Sequence, residues 1–241
     1  MTGVAPGENG SLVDQAVRAV NLHIQSRRLR VGDSVPGEGH FAASLGVSRG
    51  VIREAFGALA ALKLIDVGNG RKPRVAAIDG SVIAASLDHA VNTAQITVPE
   101  VWDVRRTIEL RTVALAAASR DDAEAACILG LAQAMATDAD DRAAVTGHDI
   151  AFHVAIARAA HNALFLQIVT SFTPLMEVAV PTAWSTRTTP RQRRTIVDRH
   201  LAVARAIESR NVGAAIAAMD AHFDSAVRDL LTASSEPPPR S

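Results

Sequence analysis

The sequence predicts a mainly α-helical protein in two parts: three helices with a two-stranded β-hairpin, then an all-helical bundle of six to seven helices. Three observations carry this. Apolar residues recur at helical spacing over most of the 241 residues, and strand-like runs are confined to a short stretch before residue 79. The charge is also divided. The chain is neutral overall, 25 Lys and Arg against 25 Asp and Glu, yet residues 1–78 hold ten basic and six acidic side chains. A basic first third on an acidic remainder is what a chain shows when one part alone meets phosphate.

Residues 1–10 are rich in Gly, Pro and Asn with nothing to bury, and are expected to be disordered. Ser11 suits the N-cap of a helix whose apolar positions are Leu12, Val13, Ala16, Val17, Val20 and Ile24. Residues 31–37 break it as a loop, and a short helix over Glu38–Leu45 follows, ended by Gly46. Ser48 caps the next, from Arg49 to Leu62, with Ile52, Ala55, Phe56, Leu59 and Leu62 inward. Leu64–Val67 and Arg74–Ala77 read as strands around the basic turn Gly68-Asn69-Gly70-Arg71-Lys72-Pro73. Beyond this point only helices are expected. Asp79 opens one to Thr93, and Thr97-Val98-Pro99-Glu100 starts another to Ser119 with Glu three residues after the Thr cap. Asp121 to Glu124 repeats that signal. Further helices fit 142–160, 163–180, 190–209 (opened by Thr189-Pro190) and 212–232, with a disordered tail over 233–241. The domains are therefore read as 11–78 and 79–232.

A single cysteine, Cys127, allows no internal disulfide, which fits a reducing compartment. No apolar run approaches the roughly 20 residues that span a bilayer, and the N-terminus lacks a basic-then-apolar signal. A cytoplasmic chain without a membrane partner is expected.

The segment FAASLGVSRGVIREAFGALAAL joins two amphipathic helices through a glycine turn, the arrangement of a helix-turn-helix. Residues at the start of the second helix reach base edges in such motifs, so Ser48, Arg49, Gly50 and Arg53 are the candidate readers; a guanidinium can bridge guanine O6 and N7. Gly50 leaves room for close approach. Gly70, Arg71 and Lys72, with Arg74, suit the hairpin to lie along the phosphate backbone or in the minor groove. The plainer alternative is a small helical subdomain with solvated arginines.

The stretch from Leu29 to Ile65 resembles the winged helix of GntR-family regulators. Gly32-Asp33, Pro36, Glu38, Phe41-Ala42, Gly46-Val47-Ser48-Arg49 and Arg53-Glu54-Ala55 carry the resemblance. Two positions depart from the family pattern: Gly39 stands where an arginine is usual, and Lys63 where a glycine is usual. The resemblance implies double-stranded operator DNA as partner. Because one winged helix covers one half-site, it also implies a homodimer on a pseudo-palindrome.

In the second part, three of the eight histidines lie inside apolar helical stripes: His153, His200 and His222. Asp149 lies one turn before His153 on the same face. Three imidazoles and a carboxylate suit a divalent transition metal, zinc first, with nickel and manganese also compatible. The alternative for each is a core histidine satisfied by a backbone carbonyl. The runs VRRTIELRTVALAA, DIAFHVAIARAAHN and RHLAVARAIESRNVGAAIAAMDAHF resemble the FCD ligand-binding domain of FadR-type GntR regulators. That resemblance implies that Asp149, His153, His200 and His222 are metal ligands. It also implies that Arg105 pairs with the carboxylate of a small organic-acid effector, with Arg106 as the neighbour that shares the role. The other reading of Arg105 is an i,i+4 ion pair with Glu109, worth a few tenths of a kcal/mol. His148 and His161 read as surface residues, and His23, His40 and His89 carry no pattern.

The expectation is a transcription regulator, with repression the favoured sign, whose operator affinity responds to an effector at a metal site. One rival is a metal-dependent hydrolase or lyase, but the sequence has no His-Glu-x-x-His and no Glu-x-x-His pair. The other is a helical dimerisation module without a ligand, which leaves three interior histidines without a cause.

Overall fold

The computed structural model of the chain describes residues 10–68 and 70–235, with side chains through Asp224. The expectation of disorder over residues 1–9 and 236–241 lies outside the described residues. Two compact units divide between Val82 and Ile83.

The first unit contains α1 (Leu12–Ser26), α2 (Glu38–Leu45), α3 (Arg49–Ala61), β1 (Ile65–Asp66) and β2 (Arg74–Val75). α1 starts with a reciprocal cap, in which Ser11 accepts from the Asp14 amide and the Asp14 carboxylate accepts from the Ser11 amide. One apolar stripe from each helix meets in a core of Ala16, Val20, Phe41, Ile52, Phe56, Leu59 and Ile65. Each large side chain buried there contributes roughly 1.5–3 kcal/mol. The strands pair antiparallel, Ile65 opposite Val75 and Asp66 opposite Arg74. They are half the expected length, and the segment 32–35 pairs along the outer edge of β2. The Gly32 amide donates to the Val75 carbonyl at 2.8 Å and the Val75 amide donates to the Asp33 carbonyl at 3.0 Å.

α4 (Ser81–Asn92) leads into the second unit, which continues as α5 (Val98–Ser119), α6 (Asp122–Thr137), α7 (Arg142–Ala159), α8 (Ala163–Ser171), α9 (Thr173–Ser185), α10 (Pro190–Glu208) and α11 (Val212–Ser235). α10 packs on α6 and α11, and α5 on α7 and α11, around Phe152, Ile156, Ile207, Met219 and Phe223. Reciprocal caps start α5, α6 and α10. Two arginines tie the C-terminal ends of α5 and α10 together. Arg120 donates to the Ile207 and Glu208 carbonyls, and Arg210 to those of Ala118 and Arg120. Carbonyls without a helical partner are answered by cations where the helix dipole favours them.

Three further details differ from expectation. The helix expected over 163–180 is two helices that break at Phe172 with a bend of 54°. Pro174 explains the break: it has no amide proton to give the preceding turn, and its ring would clash with the carbonyl of Thr170. The last helix reaches Ser235, so residues 233–235 of the expected tail are helical. The helix after the wing begins at Ser81 instead of Asp79, because the Asp79 carboxylate accepts from the Ser81 amide and hydroxyl ahead of the first turn. Among the described residues no single helix is long and apolar enough to cross a membrane; only the bent pair α8 and α9 reaches that apolarity together.

Candidate DNA interface and metal centre

The first candidate surface lies at the α2–α3 turn. Gly46 ends α2 with φ +66, a left-handed conformation that suits a residue without a Cβ. The Ser48 hydroxyl accepts from the Val51 amide and starts α3, so Ser48, Arg49 and Gly50 stand exposed on its first turn. Arg53 follows one turn later, 73% exposed, and donates to both oxygens of Glu38 at 3.3–3.4 Å. That pair fixes the guanidinium between two helices. Gly39 lies beside Arg49: a Cβ there would sit 3.6 Å from its Nη2 atom. On the hairpin Gly70 has φ +71, and Arg71 and Lys72 are exposed. Arg74 is different, since it donates to the Gly32 carbonyl at 2.6 Å and so ties the hairpin to the loop before α2. Lys63 has φ +56, a left-handed conformation in which a side chain is strained.

The second candidate site lies inside the bundle. His153 on α7, His200 on α10 and His222 on α11 are all buried, and each offers a ring nitrogen within 4.8 Å of the other two. Their surroundings fix the protons. His200 Nδ1 lies 2.9 Å from the Ile196 carbonyl, which can only accept, so Nδ1 carries the hydrogen. In the neutral ring Nε2 is then a lone pair, and it lies 3.0 Å from the Asp149 carboxylate. Two acceptors cannot face each other bare: a proton on Nε2, which makes a hydrogen bond to Asp149, or a metal cation in that proton's place answers them. His153 Nδ1 pairs with the Glu109 carboxylate, which leaves Nε2 unprotonated; that atom and His222 Nδ1 are enclosed with no hydrogen-bond partner. Carboxylate-buttressed imidazoles are the usual second layer of a metal site.

Electrostatics agree with this donor set. Burial works against the charge on Asp149, yet the His200 hydrogen bond and the nearby His153, His200 and Arg105 outweigh it and hold the carboxyl far below the carboxylate range. Burial likewise opposes charge on Glu109 and is outweighed by Arg105 and His153, so it too is lowered. For His222, burial comes first and the two neighbouring histidines add to it, which keeps the ring neutral and able to bind a cation.

Arg105 lines the same cavity with Asp149, His200, His222, Trp184 and Arg187. It is 2% exposed, its Nε is bound by Glu109, and the guanidinium lies 4.8 Å over Trp102 and 5.6 Å over Phe223. Arg105 is thus the ion-pair partner of Glu109 and also a wall of the cavity. Removing the guanidinium would strand a buried carboxylate, at about 3–5 kcal/mol. Arg106 is a correction. It does not line the cavity and instead binds Asp220 at 2.8 Å and Asp224 at 2.9 Å on α11. Arg106 is turned about 100° around α5 from Arg105, toward α11. His148 and His161 lie outside the cluster, paired with Asp138 and Glu124.

The pattern described as the bacterial regulatory proteins of the gntR family matches residues 12–75, and that of the FCD domain matches residues 100–225, half of the chain. The chain belongs to the GntR family. Members with this pair of domains are DNA-binding transcription regulators and not enzymes. Its GntR relatives include the Glc operon transcriptional activator of Escherichia coli K12, 31% identical over 153 residues, which are 61% of this chain. The match spans 60% of that activator's length. The regulator LutR of Bacillus subtilis is 27% identical over 87% of this chain and 96% of its own. The repressor NanR of Citrobacter rodentium is 26% identical over 84% and 78%. A solved GntR structure from Streptococcus agalactiae has the same fold, with a TM-score of 0.67, 22% identity, and coverage of 90% of this chain and 99% of that one.

Sequence reasoning missed three groups of this GntR protein. Glu109 was read only as a partner of Arg105, though it also holds His153. Trp102 and Arg187 were not singled out. A signal for the first two was available: Trp102, Arg105, Glu109, Thr112 and Ala116 recur every three or four residues, the period of one helix face, and all are buried. Arg187 carried none, because it follows the end of α9.

Proposed function

We propose that this GntR-family chain is a homodimeric, metal-containing repressor whose affinity for operator DNA is set by a small carboxylate effector. The observation that carries the sensing half is the trio of buried imidazoles with two unpartnered nitrogens and a carboxylate facing the third. His153, His200, His222 and Asp149 would hold a divalent ion, zinc being the best match to three nitrogen donors and one oxygen. Such an ion, by expanding its coordination beyond these four donors, would accept a carboxylate oxygen. The cavity beside it is small, about 30 Å³, room for an ion and one or two waters. Arg105 offers the second charge for the effector. For the DNA half, Ser48, Arg49, Gly50 and Arg53 form the reading edge, with Gly70, Arg71 and Lys72 against the backbone. Two copies supply two half-sites.

The sensing half is tested by elemental analysis. The purified protein is expected to hold close to one divalent ion per chain, and His200→Ala to lose most of it; equal content in both would remove His200 from the site. The DNA half is tested by gel-shift titration at fixed salt. Arg49→Ala and Arg53→Ala should each weaken operator binding by about 1–3 kcal/mol, and unchanged affinity in both would displace α3 as the reader.

A further inference from the structure

The metal cavity shares a wall with a larger space. A groove of about 250 Å³ runs between α4, α5 and α9, lined by Val91, Val101, Leu175, Met176, Ala179 and Trp102. Trp102 and Ala179 line the metal cavity as well, and the Met176 sulfur touches the Arg105 guanidinium. Only the thickness of these side chains separates the two spaces. Most of the groove wall is aliphatic, and Val98 and Val178 on its rim are 43% and 70% exposed, so water-exposed apolar surface adjoins a charged cavity too small for an organic acid. The Trp102 indole N–H is enclosed without an acceptor. A buried donor left unpaired is costly, and an acid entering beside Trp102 would supply the missing oxygen.

We infer that cavity and groove are two compartments of one ligand site, and that its ligand is a monocarboxylic acid with an apolar tail, an alkyl chain or an aromatic ring, lodged in the groove. This rests on the reading of the metal cavity as a carboxylate site. The carboxylate lies at the metal and Arg105, and the tail passes the partition formed by Trp102, Met176 and Ala179. Because Val91 belongs to α4, the helix that follows the wing in the chain, a filled groove acts on that helix directly, whereas a ligand confined to the cavity does not reach it. Together the two spaces approach the roughly 300 Å³ at which small-molecule sites begin.

The test is calorimetric titration of the metal-loaded full chain with acetate, glycolate, hexanoate and phenylacetate, with metal content measured on the same samples. Each methylene removed from water is worth about fourfold in affinity, so hexanoate and phenylacetate should bind at least tenfold more tightly than acetate. Leu175→Phe, which narrows the groove from α9 at a residue that does not line the metal cavity, should erase that preference while leaving metal content and acetate affinity in place. If that variant does not fold, Val91→Ser on the opposite wall should reduce hexanoate affinity several-fold and spare acetate. Metal-loaded protein that binds acetate or glycolate as tightly as hexanoate overturns the inference and leaves the metal reading standing. A tail preference that survives both substitutions also overturns it. Conversion of a dimer to a monomer by Val178→Asp would assign the groove to a second copy of the chain and overturn it too. A chain that takes up no metal on loading and binds none of the acids would fail the carboxylate-site reading, and this inference with it.

Discussion

Lys63 is a residue whose oddity in the sequence has a structural cost. The GntR pattern has glycine there, and the backbone explains why: φ is +56, where a Cβ meets the following carbonyl at about 1–2 kcal/mol. Glycine would relieve that strain but lose more backbone entropy on folding. Lys63→Gly should therefore stabilise the chain by a net of about 0.5–1 kcal/mol, read as a higher denaturant midpoint at unchanged slope; a lower midpoint would mean the lysine makes a compensating contact. Gly39 is the opposite case. Its missing side chain leaves the Arg49 guanidinium in ordinary contact range of that position, so Arg49 stands beside the place from which the family arginine would start. Glu38 likewise holds Arg53 from α2, although an ion pair so exposed contributes little to stability.

Among the elements, α5 connects most of the candidate metal site. It carries Trp102, Arg105 and Glu109 on one face, and its start is fixed by Thr97 and Glu100, each capping the other's backbone. Loss of the cap hydroxyl in Thr97→Ala should cost about 1 kcal/mol. The measurement is chemical unfolding of the second unit's transition, and a midpoint equal to wild type would show that the cap is redundant with the packing of Val101 and Trp102. The α8–α9 break illustrates a different influence on the site. Periodicity alone runs through residues 163–180, but Pro174 interrupts the ladder and turns α9. That turn brings Leu175, Met176 and Ala179 against α5, and with them the wall between cavity and groove.

For the whole molecule, the buried histidine cluster links stability to pH. His222 is held well below its ordinary 6.5 by burial and by its neighbours His200 and His153. In the unfolded chain that ring takes up a proton as pH falls through 6.5, while in the folded chain it stays neutral. The unfolded state then binds more protons, so the stability present above 6.5 is lost as pH falls below it. Metal-stripped protein should show a falling unfolding midpoint between about pH 7.5 and pH 5.5; a flat profile would mean that His222 is hydrated in solution. The same scale governs regulation. The proposed effector site and the proposed operator surface belong to different units, and an effector that acts on DNA binding should change operator affinity by about 5–150-fold, with the same factor in both directions.

Much of this was written locally. Caps at Ser11, Ser48, Thr97, Asp121 and Thr189, the 3.6-residue stripes and the glycine turn at Gly46 set every helix but one to within a few residues, because each depends on neighbours in the chain. The histidines could be named for the same reason, as polar residues at apolar phase. The sequence also placed Asp149 and His153 on one face. That His153, His200 and His222 meet, that Glu109 holds His153, and that Arg106 turns away to Asp220 are facts about how helices distant in sequence pack. Periodicity says which side of a helix is inward but not what lies opposite. The partners, the proton positions and the cavity exist only once α5, α7, α10 and α11 have closed on one another.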